Sequence, residues 1–259
     1  MTTDPMTPPI RSPLDYLVVA LDMPSADLAL DMANRLEGSV RWVKVGLELF
    51  VTTGPPMIET LRARGFEVFL DLKFHDIPNT VAGASAAAAR TGAGIINVHA
   101  GGGIDMMIAA KDGALRGARE RGTPAPTMLA VTVLTSLTGE ELPGYYQSRT
   151  VEERVLYLAQ ATREAGLDGV VCSPREVTPL RVSLGPDFKL LTPGLRFADG
   201  DPGDQKRVAT PREASRAGSD YLVMGRPITG AADPAAAAAR ALFEIEQGLA
   251  DRAGHAMGR

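Results

Sequence analysis

The segment Phe69-Leu-Asp-Leu-Lys-Phe-His-Asp-Ile-Pro-Asn-Thr-Val81 joins the end of an apolar strand to three charged side chains. Asp71 and Lys73 are two residues apart, so in an extended chain both project from the same face. Asp76 follows where Pro78 predicts a turn into an Ala-rich helix. Charges at the mouth of a buried strand are costly unless they pair with one another or with a ligand. The segment therefore predicts a functional site, and the alternative is an ion-paired strand end that faces solvent.

Apolar, strand-like runs alternate with helical segments on both sides of this segment. Eight such runs begin at Tyr16, Trp42, Phe66, Gly94, Thr127, Gly169, Lys189 and Tyr221. Eight β-then-α units in strict alternation predict an α/β fold, a parallel eight-stranded sheet closed into a single (β/α)8 TIM barrel. An open doubly wound sheet is the competing architecture. Its glycine fingerprint is weak here, because Gly92-Ala-Gly94 precedes a strand instead of linking a strand to a helix.

The ends of the chain and its composition set further bounds. We expect the barrel to span residues 15–249, between a loose N-terminal arm (1–14) and a frayed tail (250–259), with the last helix ending near Gly248. The arm lacks the apolar core of a signal peptide, and no apolar run reaches the roughly 18 residues of a membrane span. The lone Cys172 fits a reducing compartment and hence a cytoplasmic protein. A net charge of −4 argues against a nucleic-acid binder.

Polar side chains recur where the predicted strands end, which is where barrels gather their chemistry. After the first five strands these residues are Asp22, Lys44, Asp71, Lys73, His99, Thr132 and Thr135. With Asp76, the acids and lysines predict a ring of alternating charge, in which neighbouring carboxylates keep both lysines protonated. A protonated lysine is a proton donor and not a base or a Schiff-base nucleophile.

The loops after the seventh and eighth strands carry a second set of residues. Barrels often bind phosphate in these loops through backbone N–H groups. Gly225 allows close backbone approach, and Arg226 offers a bidentate contact to an anion. Arg196 and Gln205 arrive from the neighbouring loop. These four residues predict a phosphate site, whereas a Gly-Arg-Pro turn that merely caps the last strand is the alternative.

Taken together, these segments resemble the orotidine 5'-phosphate decarboxylase family. The matching segments are Val19–Asp22, Lys44–Gly46, Asp71–Thr80, Val98–Ala100, Val131–Ser136, Thr192–Arg196, Gly203–Gln205 and Gly225–Thr229. A wider superfamily, including a metal-dependent sugar-phosphate decarboxylase, shares the short Asp-x-Lys-x-x-Asp core. The extended form with His-Asp-Ile-Pro-Asn-Thr, joined to Gly-Arg-Pro-Ile-Thr, is much more specific.

The resemblance implies a homodimer of barrels that converts orotidine 5'-phosphate to UMP and CO2 without metal or organic cofactor. It assigns Lys73 as the proton donor to C6 of the pyrimidine, Asp71 to the substrate carboxylate and Lys44 to the same network. The residues that it implies to come from the partner subunit are Asp76, Ile77 and Thr80. It also implies ribose contacts from Asp22 and Lys44 and a pyrimidine contact from Thr135. The residues that it assigns to the phosphate are Arg196, Gln205, Gly225 and Arg226.

Two alternatives remain for the function. One is a metal-dependent sugar-phosphate decarboxylase or aldolase on the same scaffold, and the other is a non-catalytic nucleotide-binding barrel. For His75 we expect a structural or supporting role, and His99 is expected to support Asp71 or Lys73 or to make a core hydrogen bond. The Gly- and Pro-containing segments 137–149 and 197–207 are candidate lids over the site.

Overall fold

The structure, a computed structural model, describes residues 11–137, 150–199 and 209–257. Its eight parallel strands form a closed barrel in which each strand pairs with the next and β8 pairs with β1. The strands are β1 (Leu17–Ala20), β2 (Trp42–Gly46), β3 (Glu67–Phe74), β4 (Ile95–His99), β5 (Thr127–Val131), β6 (Gly169–Val171), β7 (Lys189–Thr192) and β8 (Tyr221–Met224). The predicted (β/α)8 barrel is confirmed.

Helices surround the barrel. They are α1 (Ala26–Leu36), α2 (Leu47–Thr53), α3 (Pro55–Ala63), α4 (Pro78–Arg90), α5 (Ile104–Arg121), α6 (Val151–Glu164), α7 (Val177–Leu184), α8 (Pro211–Ala217), α9 (Arg226–Thr229) and α10 (Pro234–Met257). The predicted N-cap Ser25 begins α1, and its side chain accepts a hydrogen bond from Leu28 N at 3.4 Å. Within the described ranges, no helix combines the length and the hydrophobicity that crossing a bilayer requires.

The strands bury both faces, as expected for a parallel sheet covered by helices. Alternate residues such as Val18, Ala20 and Phe69 fill the barrel interior. Their neighbours, such as Val19 and Leu70, pack against the helices. This two-residue period decides which polar side chains of the strands face inward, toward the axis of the barrel.

Strand β3 departs from the regular geometry that the sequence suggested. It continues to Phe74, and its register against β4 shifts between Leu70 and Phe74. Within this irregular stretch Lys73 has φ 52°, in the left-handed region. Asp71 and Lys73 still meet, but through this local distortion and not through the simple alternation of an extended strand.

The described residues on either side of the predicted barrel, 11–14 and 250–257, are joined to it by hydrogen bonds and by a continuous helix. Arg11 donates to the carbonyl oxygens of Asp15 and Asp220, each at 2.8 Å, so residues 11–14 pack against the barrel. The last helix does not end near Gly248, and the predicted tail continues α10 to Met257. A Cβ at Gly248 would lie 2.0 Å from Ser215 Oγ, so this glycine permits close crossing with α8 and does not end the helix.

Candidate active site

Four side chains of alternating charge form a chain at the carboxyl ends of β1, β2 and β3. Lys44 Nζ lies 2.7 Å from Asp22 Oδ1 and 3.5 Å from Asp71 Oδ2, and Lys73 Nζ lies 2.7 Å from Asp71 Oδ1. The two inner side chains, Lys44 and Asp71, are 10% and 12% exposed, whereas Lys73 is 29% and Asp22 60% exposed. The structure therefore brings together four of the predicted residues. Both ends of this charge chain, Asp22 and Lys73, are open to solvent.

Strand register places these side chains on one face. Ala20 pairs with Lys44, and Lys44 pairs with Phe69, so Lys44 shares the inward face with these two interior residues. Gly46 pairs with Asp71 two residues further on. A Cβ at Gly46 would lie 3.0 Å from Lys44 Nζ and 3.1 Å from Asp22 Oδ1. Gly46 thus leaves the space in which the first ion pair of the chain forms.

Asp71 is held ionised by its neighbours. Burial raises the pKa of Asp71, but the charges of Lys44 and Lys73 and hydrogen bonds from Lys73 and Asn97 outweigh it, so the pKa lies below its ordinary value of 3.8. The carboxylate is therefore an anion at neutral pH. A buried anion between two cations gives the site a fixed electrostatic pattern before any ligand arrives.

Asn97 is a site residue that the sequence analysis missed. Its side chain donates to Asp71 Oδ1 at 2.7 Å and accepts from the backbone N of Lys73 at 2.8 Å. A signal for it was present, because Ile95, Asn97 and His99 share one face of β4 and Ile95 lies in the barrel interior. A polar residue in the inward phase of a buried strand needs a partner there.

His99 is half-buried, and its ring lies 5.4 Å from that of His75. Burial, followed by the charges of His75 and Lys73, keeps the pKa of His99 below its ordinary value of 6.5, although Asp71 opposes the shift. His99 is therefore neutral at pH 7. The direct hydrogen-bonded support of Asp71 and Lys73 that was expected from His99 is supplied by Asn97 instead.

Asp76 does not join the charge chain within this single subunit. Its carboxylate accepts a hydrogen bond from Ile77 N at 2.6 Å, and residues 75–80 are all exposed. Ile77, a large apolar side chain, is 67% exposed. The sequence predicts a closed ring of charges that includes Asp76. In this subunit the charges instead form an open chain of four residues without Asp76.

Three of the four predicted phosphate residues, Arg196, Gly225 and Arg226, follow the neighbouring strands β7 and β8. Arg196 N donates to Ala209 O at 3.1 Å, and Gly225 precedes α9, which begins at Arg226. The position of a Cβ on Gly225 would be 3.6 Å from the Cβ of the inward-facing Ala20. Gln205 lies outside the described residues. The structure therefore supports a shared end of the barrel for Arg196, Gly225 and Arg226 but gives no geometry for Gln205.

Two threonines follow β5. Thr132 donates to Val171 O at 3.1 Å and so ties β5 to β6. Thr135 is half-buried in the turn that follows, at the same end of the barrel as Lys73. In the described ranges no group of three or more His, Cys, Asp or Glu side chains forms a metal-binding cluster. The acids of the site have lysine ammonium groups as their positive partners.

Comparisons with known proteins show which family the chain belongs to. The sequence model of the orotidine 5'-phosphate decarboxylase / HUMPS family matches residues 15–241. An orotidine 5'-phosphate decarboxylase of Chromobacterium violaceum is 55% identical over 221 residues, covering 85% of this chain and 87% of that protein. One of Nitratidesulfovibrio vulgaris is 52% identical over 230 residues, covering 88% and 97%. The crystal structure of orotidine 5'-phosphate decarboxylase from Lactobacillus acidophilus superposes with a TM-score of 0.79 at 40% identity, covering 89% and 99%. The chain therefore belongs to the orotidine 5'-phosphate decarboxylase / HUMPS family.

Proposed function

We propose that this protein is an orotidine 5'-phosphate decarboxylase, a carboxy-lyase that forms UMP and CO2 in cytoplasmic de novo pyrimidine synthesis. The strongest support is the contact between the Lys73 ammonium and Asp71 at the open end of a buried charge chain. A cation fixed in this way suits a reaction that builds negative charge on carbon. Relatives that carry this name and match most of the chain give the second line of support.

The substrate lies across the carboxyl end of the barrel in this proposal. Its phosphate faces the loops after β7 and β8, where the contributing residues are Arg196, Gln205, Gly225 and Arg226. Asp22 and Lys44 contact the ribose hydroxyls, and Thr135 contacts the pyrimidine edge. The phosphate is remote from C6, so its binding energy serves to orient the ring and not to change the reacting bond.

Lys73 carries the chemical step. When the bond between C6 and the carboxylate breaks, CO2 leaves and the electron pair stays on C6 in the plane of the ring, where the π system does not delocalise it. The ammonium stabilises this developing charge and then transfers a proton to C6, which gives UMP. Solvent returns the proton to Lys73 before the next turnover.

Asp71 and Lys44 set the field in which Lys73 acts. Asp71 remains an anion because its pKa is held below 3.8, so it keeps the Lys73 ammonium aimed across the mouth of the barrel. The substrate carboxylate lies against Asp71, and its loss as neutral CO2 relieves the repulsion between the two anions. Lys44 balances the charge of Asp71 from the other side.

A second copy of the chain completes the site. Asp76, Ile77 and Thr80 lie in an exposed run, with an apolar side chain facing outward, which suits a surface that a partner subunit covers. In a two-fold homodimer, Asp76 of each chain reaches the ribose and Lys73 of the other. The partners proposed are thus the nucleotide and a second subunit, without nucleic acid or membrane.

The proposed reaction needs no metal or organic cofactor, which separates it from the metal-dependent sugar-phosphate decarboxylase or aldolase alternative. In that alternative a divalent ion would be bound by the acids of the site. Here Lys44 and Lys73 already neutralise Asp71, and Lys44 neutralises Asp22. The ammonium groups therefore occupy the places where such an ion would add its charge.

The decisive experiment follows the absorbance of orotidine 5'-phosphate with the purified protein in excess EDTA. We expect full decarboxylation in EDTA and no stimulation by added Mg²⁺. Activity that disappears on chelation and returns with metal would support the metal-dependent alternative. Tight UMP binding without turnover would instead support the non-catalytic nucleotide-binding barrel.

Mixing two inactive variants tests the shared site. Lys73→Ala and Asp76→Ala each lose activity alone, but a mixed dimer has one site with both residues intact. After subunit exchange at equal concentrations, we expect recovery to about a quarter of wild-type activity, because half of the dimers are mixed and each has one intact site. No recovery despite demonstrated exchange would place Asp76 in its own subunit's site or outside the reaction.

A further inference from the structure

The backbone of Lys73 is held in an unfavourable conformation. Among the described residues other than glycine, only Lys73 has a positive φ, 52°. A left-handed conformation is unfavourable for a residue other than glycine and persists only where its surroundings hold it. It lies inside the register shift of β3 against β4 between Leu70 and Phe74. A bulge of this kind re-aims a side chain, and here the side chain is the proposed proton donor.

Asn97 occupies the place where the regular ladder between β3 and β4 is interrupted. Its Oδ1 accepts a hydrogen bond from Lys73 N at 2.8 Å and so replaces a strand carbonyl. Without this acceptor, a backbone N–H in a strand next to buried residues would lose its hydrogen bond. Asn97 is 1% exposed, so water does not readily replace it as the hydrogen-bond acceptor for Lys73 N.

The same amide also holds the carboxylate that pairs with Lys73. Asn97 Nδ2 donates to Asp71 Oδ1 at 2.7 Å, and Lys73 Nζ donates to that same oxygen at 2.7 Å. Only one orientation of the amide satisfies both partners, since the reverse would place NH2 against the Lys73 N–H and oxygen against the carboxylate. One side chain thus bridges the backbone of Lys73 and the ion pair at its tip.

We infer that Asn97 is a positioning residue for the reaction: it holds Lys73 in its left-handed conformation and turns Asp71 toward the Lys73 ammonium. This inference rests on the proposed decarboxylase function and deepens it. Asn97 need not touch the substrate, because it acts through the two residues that it joins. Its loss should therefore lower kcat far more than it weakens nucleotide binding.

The surroundings of Asp71 make its acidity a useful reporter. The groups that face it are Lys44 on β2, Lys73 on β3, and Asn97 and His99 on β4, with Asp22 beyond Lys44. Asn97 is among the groups that lower the pKa of Asp71. Removing the Asn97 donor should raise the pKa of Asp71 and move the acidic limb of the kcat–pH profile to higher pH. A purely structural defect would leave this limb in place.

Asn97→Asp is the sharpest variant, because it keeps the size and the acceptor for Lys73 N while replacing the donor with a second carboxylate oxygen. At pH 8 we expect kcat to fall about 100-fold, with KM and UMP Kd within about threefold of wild type. As pH falls, the new carboxyl gains a proton and donates it to Asp71. The activity of Asn97→Asp should therefore rise over a range in which the wild type stays nearly constant.

Asn97→Ala and Thr132→Val serve as the companion variants. Asn97→Ala should lose kcat without recovery at low pH, because no donor can form, and Asn97→Ser replaces it if it does not fold. Thr132→Val removes another buried hydrogen bond near the site, to Val171 O, and should lower Tm without changing the pH profile. If the Asn97 variants lose only Tm and keep the wild-type kcat and pH profile, the positioning role is overturned.

Crystal structures provide a readout that does not need activity. In Asn97→Ala we expect residue 73 to relax to negative φ and its Nζ to leave Asp71. A variant structure that keeps φ near 52° and the Lys73–Asp71 contact would overturn the inference. If the wild type itself fails to decarboxylate the nucleotide, the proposed function is wrong, and these structures still decide whether Asn97 holds Lys73.

Discussion

The two ends of the barrel each carry a cluster of charged side chains that are at least partly buried, and the clusters differ in how completely their groups are bonded. At the amino end, Asp220 accepts hydrogen bonds from Arg181 Nη2 at 2.7 Å, Leu190 N at 2.9 Å and Arg11 Nη1 at 3.2 Å. The guanidinium of Arg11 also lies 4.1 Å from the centre of the Tyr16 ring. At the same end of the barrel, Trp42 and Tyr221, the first residues of β2 and β8, make an edge-to-face ring contact.

Arg181 extends this amino-end cluster to the backbone. Its terminal nitrogens donate to the carbonyl oxygens of Gly185, Pro186, Phe188 and Gly218 as well as to Asp220. It therefore joins the end of α7, the start of β7 and the start of β8. Apart from Arg181 Nε, which is buried without a hydrogen-bond partner, the charged groups of this cluster are bonded within the protein, and such a cluster stabilises the fold.

The carboxyl-end cluster is arranged in the opposite way. In the described part of the chain the Lys73 ammonium meets a single carboxylate, its side chain is 29% exposed, and its backbone is strained. Groups left with unused hydrogen-bonding capacity in a barrel mouth are available to a ligand. The same kinds of charged group therefore serve stability where nearly all of their hydrogen bonds are made within the protein, and function where they are not.

Lys73→Ala should break the carboxyl-end cluster with the largest effect. We expect turnover to fall about 10⁴-fold or more, since both the proton donor and the charge that stabilises the carbanion disappear. That loss corresponds to about 5 kcal/mol. Initial rates and UMP binding by calorimetry check it, with the expectation that binding is largely kept and Tm is not lowered. The control is Lys189→Ala at the start of β7, which should keep wild-type turnover. A Lys73 variant with wild-type turnover would contradict the donor role.

Arg181→Met should break the amino-end cluster and affect stability instead. Removing one partner of a buried ion pair leaves Asp220 uncompensated and should cost about 3 kcal/mol of the free energy of unfolding. This corresponds to a fall in Tm of roughly 6–12 °C for a chain of this size. Denaturant and thermal unfolding check it, and kcat per folded molecule should stay within twofold of wild type.

A matched control for Arg181→Met is Arg116→Met. Arg116 forms an exposed pair with Glu120 at 3.9 Å on α5, and we expect its loss to change stability by about 0.5 kcal/mol or less. If Arg181→Met instead lowered kcat with an unchanged Tm, the distinction between the two ends would be wrong.

Gly46→Ala sharpens the comparison without removing any charge. The added methyl meets Lys44 Nζ and Asp22 Oδ1 at 3.0 and 3.1 Å, so the ion pair must shift by a few tenths of an ångström. We expect kcat/KM to fall about tenfold with Tm nearly unchanged. Gly254→Ala on α10, whose added methyl meets nothing within 4 Å, is the control and should keep wild-type kinetics. Equal kinetics for both variants would show that the exact place of Lys44 is unimportant.

The smallest expected effect is the pH dependence that His99 adds to stability. Because the folded pKa of His99 lies below 6.5, the unfolded chain binds this proton first, and stability falls as pH drops below about 6.5. Between pH 7.5 and 5.5 we expect the Tm of the wild type to fall more than that of His99→Gln, by at most about 2 °C. His75→Gln removes one cause of the lowered His99 pKa and should lie between the wild type and His99→Gln. A difference of the opposite sign between the wild type and His99→Gln would contradict burial as the main cause.

Much of this architecture could be predicted because alternation along the chain is a local property. Trp42–Gly46 and Tyr221–Met224 were predicted with the bounds that the structure gives, and the strand parity correctly placed Lys44 inside. The helix-ending role of Gly248 was wrong, because a glycine signals either a helix end or close packing, and only the position of α8 distinguishes the two. The boundaries of the barrel domain and the roles of Asp76, Ile77 and Thr80 stay predictions.

The order of strands and helices, and the inward face of Lys44 on β2, were determined by the sequence alone, since both follow from periods of two and 3.6 residues. Only the tertiary structure decided that Asp71 and Lys73 meet through a left-handed residue held by Asn97. Likewise, only barrel closure brought Arg11 to Asp220, 209 residues away. The physical reason is that contacts between strands depend on register and closure, which local patterns do not encode.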